Sequence, residues 1–241
     1  MSCYNEIGHA SRAVESILSQ SFTDYEFIII DDGSTDGTRR ILESYHAKDK
    51  RIKFFINPQN IGLAASLNKG IKNAEGLYIA RMDADDMAFS DRLRLQVEYL
   101  DENPETDILG SNAQMIKGKR TWISNVPLIH NEIKAFAFSQ TTIIHPTVMI
   151  RRSCFKRDEY DPNLPWAEDK DLWLRWMDKF TFANLSHPLI EYRVKDKVTW
   201  AIFYYNHLVL FRNIQRQKVL LKKLPALFKS VAVHLYKIIL S

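Results

Sequence analysis

An α/β fold, with a mostly parallel sheet wrapped by helices, is predicted by three observations. Short apolar runs alternate with stretches whose apolar residues recur at helical spacing, the pattern of repeated strand–helix units. Two acidic clusters, Asp31-Asp32 and Asp83-Ala84-Asp85-Asp86, follow two of those runs directly. Sheets of this kind bind ligands at the carboxyl ends of their strands, so the clusters become one candidate site. The 241 residues are 46% hydrophobic, enough for a sizeable core and unlike a disordered chain.

The elements follow in order. Residues 10–18 place Ala10, Ala13, Val14, Ile17 and Leu18 on one helical face. Residues 26–30 form a short apolar run, read as a buried strand, and break into the turn Asp31-Asp32-Gly33-Ser34-Thr35-Asp36-Gly37. A helix runs to about His46 with Ile41, Leu42 and Tyr45 inward, and residues 52–56 read as a strand before the loop at Asn57-Pro58. Residues 63–74 are helical, 77–82 are a strand ending at the second acidic cluster, and Leu93, Val97 and Leu100 mark a helix stopped near Asn103-Pro104. Residues 108–115 and 121–126 flank a turn at Lys117-Gly118-Lys119, and 146–150 is a further strand. Residues 169–180 are an amphipathic helix with Leu172, Trp173, Trp176, Met177 and Phe180 toward the core, and 189–194 closes the body.

Residues 1–199 read as one domain and 200–241 as a basic helical tail. The net charge is +4, yet the tail holds seven Lys/Arg and no Asp or Glu, which leaves about −3 on the body. Its residues 201–221 and 226–240 mix large apolar side chains with only basic charge, the composition of a helix that lies on an anionic membrane surface. Packing of the same helices on the body or on a partner stays open. Cys3 and Cys154 show no metal-binding or disulfide spacing, which fits a reducing compartment. No apolar stretch reaches the roughly 20 residues of a membrane span, and no leader is read at the start. A cytoplasmic protein is expected, peripheral on the membrane if the tail binds it; nucleic acid is not an expected partner.

The chemistry-bearing segments are few. In Arg81-Met82-Asp83-Ala84-Asp85-Asp86, three carboxylates within four residues repel one another unless a cation joins them, as a divalent ion holding a diphosphate does. The alternative is an acidic turn before a helix. At the end of the 26–30 run, Asp32 could accept a hydrogen bond from a base N–H, with Gly33 letting a nucleoside approach the backbone. Asp36 reads as a helix cap. Glu168-Asp169-Lys170-Asp171 opens a helix, where a carboxylate at the rim can act as general base or Asp169 can simply cap. His145 before Pro146 could line an acceptor site or be a structural histidine, and Arg193 and Lys195 could meet phosphate or end an ordinary strand.

Together these residues resemble the family 2 glycosyltransferases with the GT-A fold, a Rossmann-like architecture. The matching segments are Ser2-Cys3-Tyr4-Asn5-Glu6, 17–22, 30–38, Asn60-Ile61-Gly62-Leu63, 80–86, 145–149 and 168–173, seven in family order over residues 2–195. The resemblance implies that Tyr4 packs beside the nucleoside base and Asp32 reads its edge. It implies that Asp83, Asp85 and Asp86 form the DXD region for ribose and a metal diphosphate, with Asp85 and Asp86 on Mn²⁺ or Mg²⁺. It makes Asp169 the catalytic base of an inverting enzyme, and puts His145, with Glu168 nearby, at the acceptor. The donor is then a nucleotide-diphosphate sugar and the acceptor a glycan or lipid-linked sugar, in the setting of capsule, lipopolysaccharide or exopolysaccharide synthesis.

Two departures stand out. Relatives carry four or more apolar residues before the position of Tyr4, where this sequence has Met1-Ser2-Cys3, so residues upstream of Met1 are expected in the functional protein. Many relatives also carry His where this sequence has Lys195. A sugar-phosphate nucleotidyltransferase would show a glycine-rich loop near the N-terminus, which is not seen. A non-catalytic, membrane-associated nucleotide-sugar-binding module is the remaining alternative.

Overall fold

The computed structural model describes residues 1–194 and 199–216. Its first sheet is parallel and ordered β1-β2-β3: β1 (Ser2–Cys3), β2 (Phe27–Asp31) and β3 (Ile52–Ile56). Helices α1 (Ala10–Leu18) and α2 (Thr38–His46) connect these strands, and α3 (Leu63–Lys72) follows. The unbroken apolar run of β2 has a physical reason, since both of its faces are covered. Phe27 and Ile29 pack with Val14, Ile17 and Leu42 of the two connecting helices. Ile28 and Ile30 lie against α3 at Gly70, where an added Cβ would stand 3.8 Å from each.

The second sheet is mixed, in the order β4-β8-β6-β9-β5 with β7 beside β6. Its strands are β4 (Tyr78–Ala80), β5 (Met87–Ala88), β6 (Ile108–Lys117), β7 (Arg120–Ile123), β8 (Met149–Arg151) and β9 (Phe182–Arg193). Helix α4 (Arg92–Glu102) lies between β5 and β6, α5 (His130–Phe136) between β7 and β8, and α6 (Glu168–Trp176) between β8 and β9. The expected parallel arrangement thus holds in the first sheet and in the β6–β9 pair, while β4–β8, β6–β8, β5–β9 and β6–β7 are antiparallel. The two sheets meet where Ser2 bridges Asp83 in parallel. That bridge sets the carboxyl ends of β1, β2 and the chain beyond β4 side by side.

Two local expectations change. Residues 146–150 are not one strand: a 3₁₀ turn at His145–Thr147 precedes β8. Pro146 lacks an N–H to give a ladder, and its fixed φ suits a first helical turn. The strand expected at 189–194 begins earlier, at Phe182, and its pairing with β6 shifts register on both sides of Asn112.

The first helix of the expected tail packs on the body. Helix α7 (Trp200–Arg216) buries Val209, Leu210 and Ile214 in the same core as Trp173 and Trp176 of α6. Asn213 Nδ2 donates to Asp171 Oδ1 at 3.3 Å. Trp200, Tyr204 and Phe211 remain exposed on the same helix. The expected second tail helix, 226–240, lies outside the described residues. No described helix is long and apolar enough to cross a membrane.

Candidate active site

The site is built from the ends of three neighbouring chain segments. At the end of β2, Asp31 Oδ2 accepts from Arg39 Nε at 2.9 Å and Oδ1 from the Ser34 N–H at 3.2 Å. Asp32 is 2% exposed. Its Oδ1 accepts from Asn57 Nδ2 at 2.8 Å and the Ile61 N–H at 3.0 Å, and its Oδ2 from the Gly62 N–H at 3.0 Å. Three of the roughly four acceptor directions of a carboxylate are therefore in use. Asp32 anchors the 57–62 loop and puts negative charge at the N-terminus of α3, where the helix dipole favours it.

Gly33 also has a use within the protein itself. At φ 76°, a Cβ there would lie 2.6 Å from the carbonyl carbon of Gln59, so the close approach it permits is that of the 59–60 backbone. Asp36 does hold a helix start: its Oδ1 accepts from the Thr38 N–H at 2.9 Å and its Oδ2 from the Ile7 N–H at 3.1 Å. Tyr4, just beyond β1, is 46% exposed, open to a flat ring.

The chain beyond β4 behaves differently. Carboxylate oxygens of Asp83, Asp85 and Asp86 lie within 4.8 Å of one another. Arg81, almost fully buried, contacts Asp83 Oδ2 through Nη1 at 2.5 Å. Asp86 Oδ1 accepts the Arg193 N–H at 2.9 Å, while its buried Oδ2 has no partner among the described residues. Burial, and next the charge of Asp83, push the Asp86 carboxyl up to about 8. Such a cluster of oxygen donors, one of them buried and orphaned, fits a hard divalent cation. Arg92 lies beneath, 0% exposed, its Nη2 donating to the Arg81 carbonyl at 2.6 Å and its Nε to Gln96 Oε1 at 3.1 Å. It fixes the backbone from which the acidic turn departs.

The third segment enters α6. Ala167 takes a left-handed φ of 62°, a strained geometry for a residue with a Cβ, immediately before Glu168 and Asp169. Both are in the first helical turn, so Asp169 is not the helix cap. Burial, followed by the charge of Asp169, pushes Glu168 up to about 8. Burial also raises Asp169, opposed by the hydrogen bond its Oδ1 accepts from the Lys170 N–H at 2.7 Å.

His145 is buried, with Nε2 2.7 Å from the Tyr160 hydroxyl and its ring 5.7 Å from Trp173, edge to face. Burial, and then Arg81, hold it well below its usual pKa, so it is neutral. Its Nδ1 stands 3.9 Å from Glu168 Oε1. Asp171 is structural, with Oδ2 accepting from Arg175 Nε at 2.6 Å, and Trp173 and Trp176 belong to the core as the helical spacing indicates.

One cavity of about 580 Å³ gathers Asp83, Asp85, His145, Glu168, Asp169 and Arg193, together with Arg81. Asp86 backs it through Arg193. Tyr4 and Asp32 do not line it, and Lys195 lies outside the described residues. A cavity of about 860 Å³ between β2 and β4 is lined largely by apolar side chains such as Ile28, Leu67 and Ile79, holds none of the expected site residues and touches the acidic segment only at Arg81 and Met82. The chemistry therefore belongs to the smaller cleft. The sequence assigned no role to Arg81, though it sits inside the acidic motif, and nothing in the spacing of α4 singled out Arg92.

Comparisons with known proteins bear on the family and the fold. The glycosyl transferase family 2 model matches residues 1–158. The putative glycosyltransferase EpsE of Bacillus subtilis is 36% identical over 203 residues, which cover 80% of this chain and 71% of EpsE. The putative teichuronic acid biosynthesis glycosyltransferase TuaG of the same organism is 32% identical over 212 residues, 83% of this chain and 84% of TuaG. Among solved structures, S. aureus TarS in complex with UDP superposes with a TM-score of 0.69 at 22% identity, over 88% of this chain and 63% of that one, a likeness of GT-A fold.

Proposed function

The chain belongs to glycosyl transferase family 2 and is a glycosyltransferase, and on that premise we propose that it is an inverting, metal-dependent enzyme that moves a sugar from a nucleoside diphosphate to a hydroxyl acceptor. The observation that carries the proposal is the convergence of the Asp83–Asp85 acids and Asp169 in one cleft, with the orphaned Asp86 oxygen behind it. Asp85 and Asp86 would hold Mn²⁺ or Mg²⁺, and Asp83, steadied by Arg81, would meet a ribose hydroxyl. The bound cation would offset charge growing on the leaving diphosphate. Arg193 would supply further positive charge there, and the same role is proposed for Lys195, which lies outside the described residues. The buried Arg193 Nε, without a partner among the described residues, is a donor available for a phosphate oxygen.

Asp169 takes the proton of the acceptor hydroxyl. The acceptor oxygen forms its bond to the anomeric carbon as the bond to the diphosphate oxygen breaks, and one displacement inverts the configuration. Burial raises both Glu168 and Asp169 above the ordinary carboxyl range, which makes a carboxylate in this pair a stronger base than one in water. The buried, neutral His145–Tyr160 pair forms a fixed wall of the acceptor side.

Tyr4, through its exposed ring, and what acceptor capacity Asp32 retains would serve the nucleobase. The names of EpsE and TuaG favour surface-polysaccharide synthesis as the setting. The exposed Trp200, Tyr204 and Phe211 face of α7 and the basic residues of 212–241 favour an anionic membrane as the place of work on the cytoplasmic side. Flotation with anionic but not neutral vesicles is the expected result. A panel of nucleotide sugars with Mn²⁺ tests the activity. Release of nucleoside diphosphate and an inverted product support it; binding without release would make the chain a nucleotide-sugar-binding module, and a retained anomer would overturn the single displacement.

A further inference from the structure

The catalytic cleft is lined by two unlike sets of residues. The inner set, which includes the buried Arg81 and Glu168, is ionic: Arg81, Asp83, Asp85, Glu168, Asp169 and Arg193. The outer set walls the cleft from 122–126 and 141–144, and residues 121–129 and 141–149 contain no Asp, Glu, Lys or Arg. A nucleotide phosphate finds no counter-charge on that wall, whereas a neutral ligand loses nothing there.

The outer wall is rigidly made. The register of β6 shifts at Asn112, and a bulge of this kind bends a strand and re-aims its side chains. Asn112 Oδ1 accepts from Ser124 Oγ at 2.9 Å and from the Val126 N–H at 3.0 Å, and its Nδ2 donates to the Ser186 carbonyl at 3.0 Å. Ser124 Oγ in turn accepts the Ala113 N–H at 2.9 Å. The chain leaving β7 is thereby clamped, and Trp122, opposite Met115 in the β6–β7 pair, lines the cleft while 44% exposed. Asn125 and Thr141 belong to the same set, and among the described residues their side chains have no hydrogen-bond partner.

We propose that this outer lobe is the acceptor subsite and holds a neutral sugar ring on the indole face of Trp122, with Asn125 and Thr141 meeting its hydroxyl rim. This rests on the glycosyltransferase reading above. A pyranose offers an apolar C–H face and a polar edge. An exposed aromatic beside a free amide and a free hydroxyl presents the complementary pair of surfaces.

The test uses the full chain, with Trp122→Ala and Trp122→Phe, on an array of neutral and acidic glycans in the presence of Mn²⁺ and nucleoside diphosphates. Wild type should retain neutral glycans, Trp122→Phe should keep most of that retention, and Trp122→Ala should lose it. With an acceptor drawn from the array, Trp122→Ala should raise the acceptor KM about tenfold and change the donor KM less than twofold. Because Trp122 is exposed, its replacement should leave the thermal unfolding midpoint near that of wild type, which separates lost binding from lost folding. Retention of acidic glycans alone, no retention by wild type, or equal retention by Trp122→Ala overturns the subsite. Failure of the transferase reading shows separately, as absence of nucleoside diphosphate release from every donor by wild type.

Discussion

Asp31 and Asp32 at the end of β2 are as buried as Asp86 beyond β4, at 0%, 2% and 3% exposure, yet the two regions have opposite electrostatics. The β2 acids are answered by Arg39, Asn57 and backbone N–H groups. Asp86 faces two like charges, keeps one oxygen orphaned, and is pushed up to about 8. Burial alone therefore does not mark a functional carboxylate. A satisfied acid holds the fold, and a crowded, unsatisfied one is arranged for a ligand that brings positive charge.

The largest effect that would sharpen this contrast lies across the cleft. Asp169→Asn keeps size and hydrogen bonding but removes basicity, so turnover should fall about 10²–10⁴-fold with donor affinity little changed. Steady-state kinetics with a quenched-flow check of the chemical step measures it. Near-normal transfer by Asp169→Asn with collapse in Glu168→Gln would move the base to Glu168.

The β2 and β4 acids should then respond in opposite senses. Asp86→Asn should weaken Mn²⁺-dependent donor binding by about 10–100-fold while leaving the unfolding midpoint level or higher, because it relieves repulsion. Asp32→Ala strips the acceptor from two backbone N–H groups and Asn57, and should cost about 1–3 kcal/mol, several degrees in Tm. Calorimetric titration and thermal unfolding on both variants read the pair. An Asp32→Ala protein as stable as wild type would break the comparison.

How much of this was legible follows from range. The apolar run of β2, the amphipathic faces of α1 to α4 and the placement of acids after strands are local patterns, and the structure keeps them within a few residues. The antiparallel pairs of the second sheet join segments as distant as Met87 and Glu191, and no periodicity encodes such partners. Helix α5 is seven residues long and was not anticipated, too short for its spacing to speak. Among site residues, the motif order pointed to Asp83, Asp85 and Asp169, which the fold brings to one cleft. It could not show that Asp32 is occupied by Ile61 and Gly62, because those contacts span about 30 residues. No role for Arg92 is legible in the sequence; its burial depends on the Arg81 carbonyl and Gln96, partners that only the fold brings to it.

The smallest effect concerns Glu168. Its folded value of about 8 lies above the ordinary 4.5, so the neutral form is the one the fold favours. The stability tied to that form is full below pH 4.5 and is lost as pH rises through about 8. Glu168→Gln should therefore unfold about 2–4 °C above wild type at pH 9 and show a smaller difference at pH 5. A gap that is largest in acid would contradict the sign.

The most direct test of a charge-seeking acid cluster working with Asp169 is nucleoside diphosphate release from a panel of nucleotide sugars, measured with Mn²⁺, with EDTA, and after Mn²⁺ is restored. The account predicts release from at least one donor, loss of that release in EDTA and recovery on adding Mn²⁺. Turnover undiminished in excess EDTA would contradict it.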